Sequence, residues 1–187
     1  MNKKAKTLPK DVILESLMLD PTSKTSLRWK RRPRHHFNAE RDWKTWNTQN
    51  AGTVAGCEKH VGKGKKYCYV RINAITYLSH RLVYFLAHGV DPSKFQVDHI
   101  SGDTLNNNPA NLRLATNAEN SRNRGANRNS QLGIKGVIFH EKTGKYRATI
   151  CISKRNRFLG SFTEKKDAVA AYACAAVELH KEFARTV

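Results

Sequence analysis

An aspartate and a histidine stand side by side at Asp98 and His99, and Asn111 and Asn120 follow the histidine at intervals of 12 and 9 residues. These residue types suit the hydrolysis of a phosphodiester. That reaction needs an activated water, neutralised charge on the phosphate, and a stabilised leaving oxygen. Histidine, with an ordinary pKa of about 6.5, is substantially neutral at pH 7 and can take a proton from water. A divalent ion meets the other two needs as a Lewis acid. Asp98 offers a carboxylate and Asn120 an amide oxygen, hard donors of the kind Mg²⁺ prefers alongside waters and a substrate oxygen. In a regular strand, Asp98 and His99 face opposite ways. Both can serve one phosphate only if the strand ends or bends there.

The flanking pattern predicts such a frame. "FQVDHI" reads as a short strand, "NLRLAT" as a second, and "SGDTLNNNPA" between them has the length of a compact Ω-loop. Thr116 and Glu119 have the T-x-x-E spacing of a capping box, which predicts a helix beginning near Asn117 with Asn120 in its first turn. Asn106, Asn107 and Asn108 are assigned to turn chemistry, as is Asp103, and Asn117 to the helix entrance.

"VDHISGDTLNNNPANLRLATNAEN" resembles the HNH nuclease motif in its H-N-N form, as in phage and intron-associated homing endonucleases. The resemblance implies a ββα-metal fold and metal-dependent cleavage of double-stranded DNA. By it, His99 is the general base, Asp98 and Asn120 hold the metal, and Asn111 braces the loop and helps fix the His99 orientation. Asparagine at the last metal position favours Mg²⁺ or Mn²⁺ over zinc. One site per chain predicts one nick per monomer, a double-strand break requiring a homodimer or two sequential events.

Charge points the same way. Lys and Arg number 34 against 15 Asp and Glu, a net charge of +19 over 187 residues. Such an excess attracts polyanions, of which nucleic acid is the commonest. Mean hydropathy is −0.65, and no stretch approaches the length of a membrane span or reads as a signal peptide. A soluble cytoplasmic protein is expected, in the host cell if phage-encoded. The four cysteines (Cys57, Cys68, Cys151, Cys174) form no CxxC pair, so reduced thiols are expected rather than a structural zinc site.

Upstream, "PKDVILESLML" reads as a short helix and "WKRRPRHH" as a basic loop or phosphate-contacting arm. "YCYVRINAITYL" alternates as a hairpin turning at Asn73–Ala74. "SHRLVYFLAHG" reads as a helix with Ser79 as N-cap, Gly89 as terminator, and Leu82, Val83, Phe85 and Leu86 in the core. His80 is read as structural or phosphate-contacting rather than catalytic.

Downstream, "GANRNSQ" (125–131) reads as a linker. "KGVIFH", "KYRATICIS" and "RFLGSF" read as three strands, with turns at "EKTGK" and "KRN". Tyr146, Ala148, Ile150 and Ile152 share one face. Thr163 is expected to cap a helix from about Glu164 to Phe183 bearing Val169, Tyr172, Ala176 and Phe183 on one stripe. Residues 133–184 resemble the DNA-binding domain of plant ethylene-response-factor (APETALA-type) regulators in "KGV", "GKYRATI", "FLGSF" with T-x-x-x-x-A, and "AAYACAA". That family lays its sheet in the major groove. The resemblance implies Arg147 and Thr149 on the outward, DNA-facing side, with His140 and Arg155 or Arg157 as partners and Lys135 and Lys145 as phosphate contacts. Where plant members carry Arg or Trp outward, this chain has Ile138, Thr149, Cys151 and Phe158, so the plant target sequence does not transfer. Arg122, Arg124 and Arg128, beside the cutting motif, are expected on the DNA backbone.

The expected architecture is α+β: a nuclease region over residues 8–124 with its ββα-metal core at about 95–124, a linker over 125–131, and over 132–187 a small three-stranded antiparallel sheet with one packed helix. The alternative function is a DNA-binding regulator with an inactive nuclease fold.

Overall fold

The computed structural model describes residues 8–62, 64–127 and 129–185. The basic stretch Met1 to Thr7 and the backbone contact expected of Arg128 lie outside the described residues. The architecture is α+β with small antiparallel sheets, and the chain divides after Ala115 into two compact units.

In the first unit, α1 (Lys10–Ser16) leads into the strand pair β1 (Leu17–Leu19) and β2 (Leu27–Trp29), followed by α2 (Glu40–Asn50). A three-stranded sheet comprises β3 (Cys57–Val61), β4 (Lys65–Ile72) and β5 (Ile75–Leu78), with β4 central. Asn73 and Ala74 make the β4–β5 turn at φ 46° and 62°, the left-handed pair that a two-residue hairpin needs. Helix α3 (Ser79–His88) follows directly and stops at Gly89, whose φ of 69° only glycine adopts cheaply. The strands β6 (Gln96–His99) and β7 (Leu112–Ala115) complete the unit as an antiparallel pair. Alternation sends Cys68, Val70 and Ile72 of β4 inward, against Leu82, Val83 and Phe85 of α3. Val97 and Leu112 belong to that same core, so each anchors the β6–β7 pair with about 1.5–3 kcal/mol of apolar burial.

Two expectations are corrected here. "WKRRPRHH" is not solvated throughout: Lys30, Arg31, Arg34 and His35 are exposed, but two of its residues turn inward. Trp29 and Arg32 are buried, and the Arg32 guanidinium lies over the rings of Phe37 and Trp46 at 4.9 and 5.0 Å. A planar cation can be buried among aromatic faces, which charge counting along the sequence does not register. Ser79 is the first helical residue rather than the N-cap, which is Leu78, and its hydroxyl is buried without a hydrogen-bond partner. Helix α2 and strand β3 lie in sequence whose periodicity was too polar to signal either.

The second unit begins with α4 (Asn117–Arg122), capped by the predicted box: Thr116 Oγ1 accepts the Glu119 N–H at 3.2 Å and Glu119 Oε2 accepts the Thr116 N–H at 2.7 Å. The sheet of β8 (Val137–His140), β9 (Lys145–Ile152) and β10 (Arg155–Phe162) runs in the order β10-β9-β8. Its inner face packs Val137, Ala148 and Ile150 against Ala168, Tyr172 and Ala176 of α5 (Lys165–His180). The cap of α5 is Glu164 rather than Thr163, and the helix ends at His180; Phe183 is buried from a following 3-10 turn instead of the predicted helical stripe. The last hairpin also differs. Its turn is Ser153–Lys154, with φ 47° and 66°, rather than "KRN", so β10 starts at Arg155.

Candidate active site

Strand β6 ends at His99. The backbone turns at once, with the Gly102 N–H donating to the His99 carbonyl at 2.8 Å. This supplies the strand end that the adjacency of Asp98 and His99 demands, and both residues are buried. Register sets Asp98 opposite Arg113 and His99 opposite Leu112. Arg113 donates from Nε and Nη2 to Asp98 Oδ2, each at 3.0 Å, a charge-assisted contact that fixes the carboxylate in its strand.

The loop between the strands is largely held by its own amides. Asn111 Oδ1 accepts the Ser101 N–H at 2.9 Å, Asn111 Nδ2 donates to the Asn106 carbonyl at 2.7 Å, and the Ile100 N–H donates to the Asn111 carbonyl at 2.8 Å. Asn111 thus clasps both arms of the loop. Asp103, Asn106 and Asn108 each accept the backbone N–H two residues on, the turn chemistry assigned to them.

Asn107 departs from that assignment. It is 2% exposed, and its Oδ1 accepts a hydrogen bond from His99 Nε2 at 3.1 Å. An amide oxygen only accepts, so the neutral His99 ring carries its proton on Nε2, and Nδ1 is the basic nitrogen. Nothing in the run of three asparagines marked the middle one, because its role depends on the turns made by its neighbours. His80 has the structural role read for it, but its partner was not foreseen. It is buried, its ring meets that of His99 edge to face at 4.9 Å, and Tyr67 lies 6.0 Å beyond it. Burial, with His99 and Arg81 nearby, pushes the His80 pKa down to about 3, so it is a neutral wall for the His99 ring. Burial likewise lowers the His99 pKa, against the raising effect of the Asn107 bond and of Asp98 and Asp103.

Asn120 lies half-buried in the first turns of α4, within the second unit, whereas Asp98, His99 and Asn111 belong to the first. By type, a carboxylate and an amide oxygen are each donors that suit a hard divalent cation. A second set occurs at Glu15, His35 and His36, whose ligand atoms lie within 4.8 Å of one another. Its chemistry suits a metal poorly. The Arg32 Nε–H donates to His36 Nδ1 at 3.2 Å, which leaves the His36 proton on Nε2, donating to Glu15 Oε2 at 2.6 Å. The nitrogen nearest the carboxylate therefore has no lone pair to offer, and a guanidinium stands beside it.

In the second unit, register places Ile138, His140, Lys145, Arg147, Thr149 and Phe158 on the sheet face away from α5. Arg147 Nε is without a hydrogen-bond partner, and His140 Nδ1 lies 3.0 Å from Thr143 Oγ1. Arg155 and Arg157 are corrected. The earlier turn puts them opposite Ile152 and Ile150, on the helix side, and leaves Asn156 and Phe158 facing outward. Lys135 is half-buried and donates to the carbonyls of Arg122 and Arg124, tying the end of α4; this ammonium serves the fold. Arg122 is half-buried and Arg124 exposed.

Among known proteins, residues 77–122 match the HNH endonuclease family. Protein 3.8 of Escherichia phage T7 is 32% identical over 106 residues, covering 57% of this chain and 87% of that protein. An uncharacterized HNH endonuclease of Acanthamoeba polyphaga mimivirus is 33% identical over 106 residues, 56% of this chain and 54% of the relative, so the match spans about half of the mimivirus protein. No solved structure matches. Among the described residues, no helix is long and apolar enough to cross a membrane.

Proposed function

The chain belongs to the HNH endonuclease family, and from that premise we propose that it is a metal-dependent DNA endonuclease of homing or mobile-element type. One observation carries the reading: inside the matched segment, His99 closes a strand beside Asp98 with its Nε2 proton held by Asn107. In the proposed reaction His99 Nδ1 takes a proton from the water that attacks phosphorus in line. Asn107 and His80 hold the ring in place, and Arg113 orients the Asp98 carboxylate. Asp98 and Asn120 would hold a Mg²⁺ or Mn²⁺ ion, which would supply Lewis-acid neutralisation of the charge on the phosphate and the leaving oxygen. The C-terminal unit acts as an ethylene-response-factor-type DNA reader, with His140, Lys145, Arg147 and Thr149 toward the groove. Arg122 and Arg124 are backbone contacts. The net charge of +19 supports DNA as substrate, and the viral relatives support action in the host cytoplasm.

Supercoiled plasmid carrying the native site, incubated with Mg²⁺ or Mn²⁺, tests the proposal. Wild type gives relaxed or linear product and His99→Ala does not. Tight, salt-sensitive binding without cleavage by wild type would instead make the chain a DNA-binding regulator, and cutting by His99→Ala would overturn the catalytic assignment.

A further inference from the structure

The outer face of the β3–β4–β5 sheet continues directly from the catalytic histidine. On β4 the side chains of Lys65, Tyr67, Tyr69 and Arg71 alternate against the buried Cys68, Val70 and Ile72. Register brings Lys59 of β3 beside Tyr67 and Thr76 of β5 beside Arg71 on that same outer face. Three exposed cations, Lys59, Lys65 and Arg71, therefore share a face with two half-buried tyrosines. Among the described residues none of the three cations has an ion-pair partner, and the one acid of these strands, Glu58, points to the other face, opposite Cys68.

This face ends at the site. Tyr67 contacts the His80 ring, and His80 contacts His99. Thr104, in the loop after His99, donates from Oγ1 to the Lys66 carbonyl at 2.6 Å, pinning the catalytic loop to β4. Uncompensated like charges on one sheet face repel one another, and an anion laid across them relieves that repulsion. Amphipathic tyrosines between the cations offer apolar surface and a hydroxyl to a sugar–phosphate chain.

We propose that Lys59, Lys65 and Arg71 form a backbone track that grips the phosphates of duplex DNA next to the bond being cut, with Tyr67 and Tyr69 lining it. The proposal rests on the nuclease reading for the position of the cut, but its contacts are sequence-independent and are measured without cleavage.

The full-length chain with His99→Ala, in chelator, is titrated against a fluorescent DNA duplex at a series of KCl concentrations. Three phosphate contacts contribute about 2–3 to the slope of log K against log salt. The triple variant Lys59→Gln, Lys65→Gln, Arg71→Gln is expected to flatten that slope by this amount and to lose at least about tenfold in affinity near physiological salt. Lys10→Gln with Lys94→Gln, exposed cations elsewhere, is the control and keeps the parent slope. An unchanged slope in the triple variant, an equal loss in the control, or a loss confined to an RNA hairpin probe would each overturn the proposal. All three substitutions are at exposed positions, and matching thermal midpoints verify folding. Failure of the nuclease reading shows separately, as absence of plasmid nicking by wild type with the track's slope effect intact.

Discussion

Asn107→Asp replaces an amide oxygen by a carboxylate at the same 3.1 Å from His99 Nε2. At that separation, and an effective dielectric of about 20, a pair of unit charges attracts with about 5 kcal/mol. At about 1.36 kcal/mol per pK unit the ceiling is near four units, and desolvation of the new carboxylate brings the effect to about one to three. The sign is fixed: a carboxylate favours the imidazolium, so His99 stays protonated to higher pH and is lost as a base. In wild type, burial holds the His99 pKa below the ordinary value despite the Asn107 bond, so the acid limb of the rate profile lies below about pH 6.5. Single-turnover nicking of plasmid from pH 5.5 to 9 at fixed Mg²⁺ reads the limb directly. Asn107→Asp should be slow near neutrality and recover in alkali, its limb displaced upward by about one to three pH units. Asn107→Ala, which adds no charge, should be slower at every pH by about 10–100-fold, the usual cost of losing an orienting partner. A wild-type profile for Asn107→Asp, or a loss that alkali does not relieve, refutes the assignment of Nδ1 as the base.

His80 gives a stability prediction. Its folded pKa of about 3 lies below the unfolded value, so the unfolded chain binds more protons between about pH 3 and 6.5 and stability falls as pH falls. Urea unfolding should show a loss of about 2 kcal/mol between pH 6.5 and 5, and His80→Phe should flatten that dependence; an unchanged slope counts against burial of a neutral ring. Arg113→Met, which removes the guanidinium from buried Asp98, should destabilise the first unit by about 3–5 kcal/mol, visible as a lowered urea midpoint; a midpoint within error of wild type would show the pair to be dispensable. At Gly136, φ is 71° and an added Cβ would overlap the Tyr172 ring and the Thr149 carbonyl. Gly136→Ala should therefore lower stability by about 2–4 kcal/mol through the C-terminal core, seen as an earlier melt of that unit in hydrogen exchange while β6 protection is unaffected.

The site's frame could be read from residue types because its signals are local. The capping box at Thr116 and Glu119, the turn at Asn73–Ala74 and the strand alternation of β9 each need only a few neighbouring residues. What escaped were pairings set by distance in the chain. Asn107 reaches His99 only because the Asx turns on either side rotate it inward. His80 meets His99 across the unit's core, and nothing near residue 80 announces it. A turn misplaced by one residue was enough to reverse the facing of Arg155 and Arg157, since strand side chains alternate with period two. Arg32 was read as surface charge because its compensation comes from Phe37, Trp46 and Asn73, the last 41 residues away.

The loop from Ser101 to Asn111 takes its shape mostly from bonds spanning two to ten residues, with the Thr104 hydroxyl also donating to the distant Lys66 carbonyl. A segment that carries its own folding instructions behaves as a cassette. It can be moved by recombination between chains with different flanks and arrive with its histidine already aimed. The family match covers residues 77–122, and the similar segment makes up 87% of the phage protein and 54% of the mimivirus protein. Grafting residues 96–116 onto a foreign antiparallel strand pair should transfer the His99–Asn107 geometry intact, and loss of that contact in the graft would show that the flanks are needed.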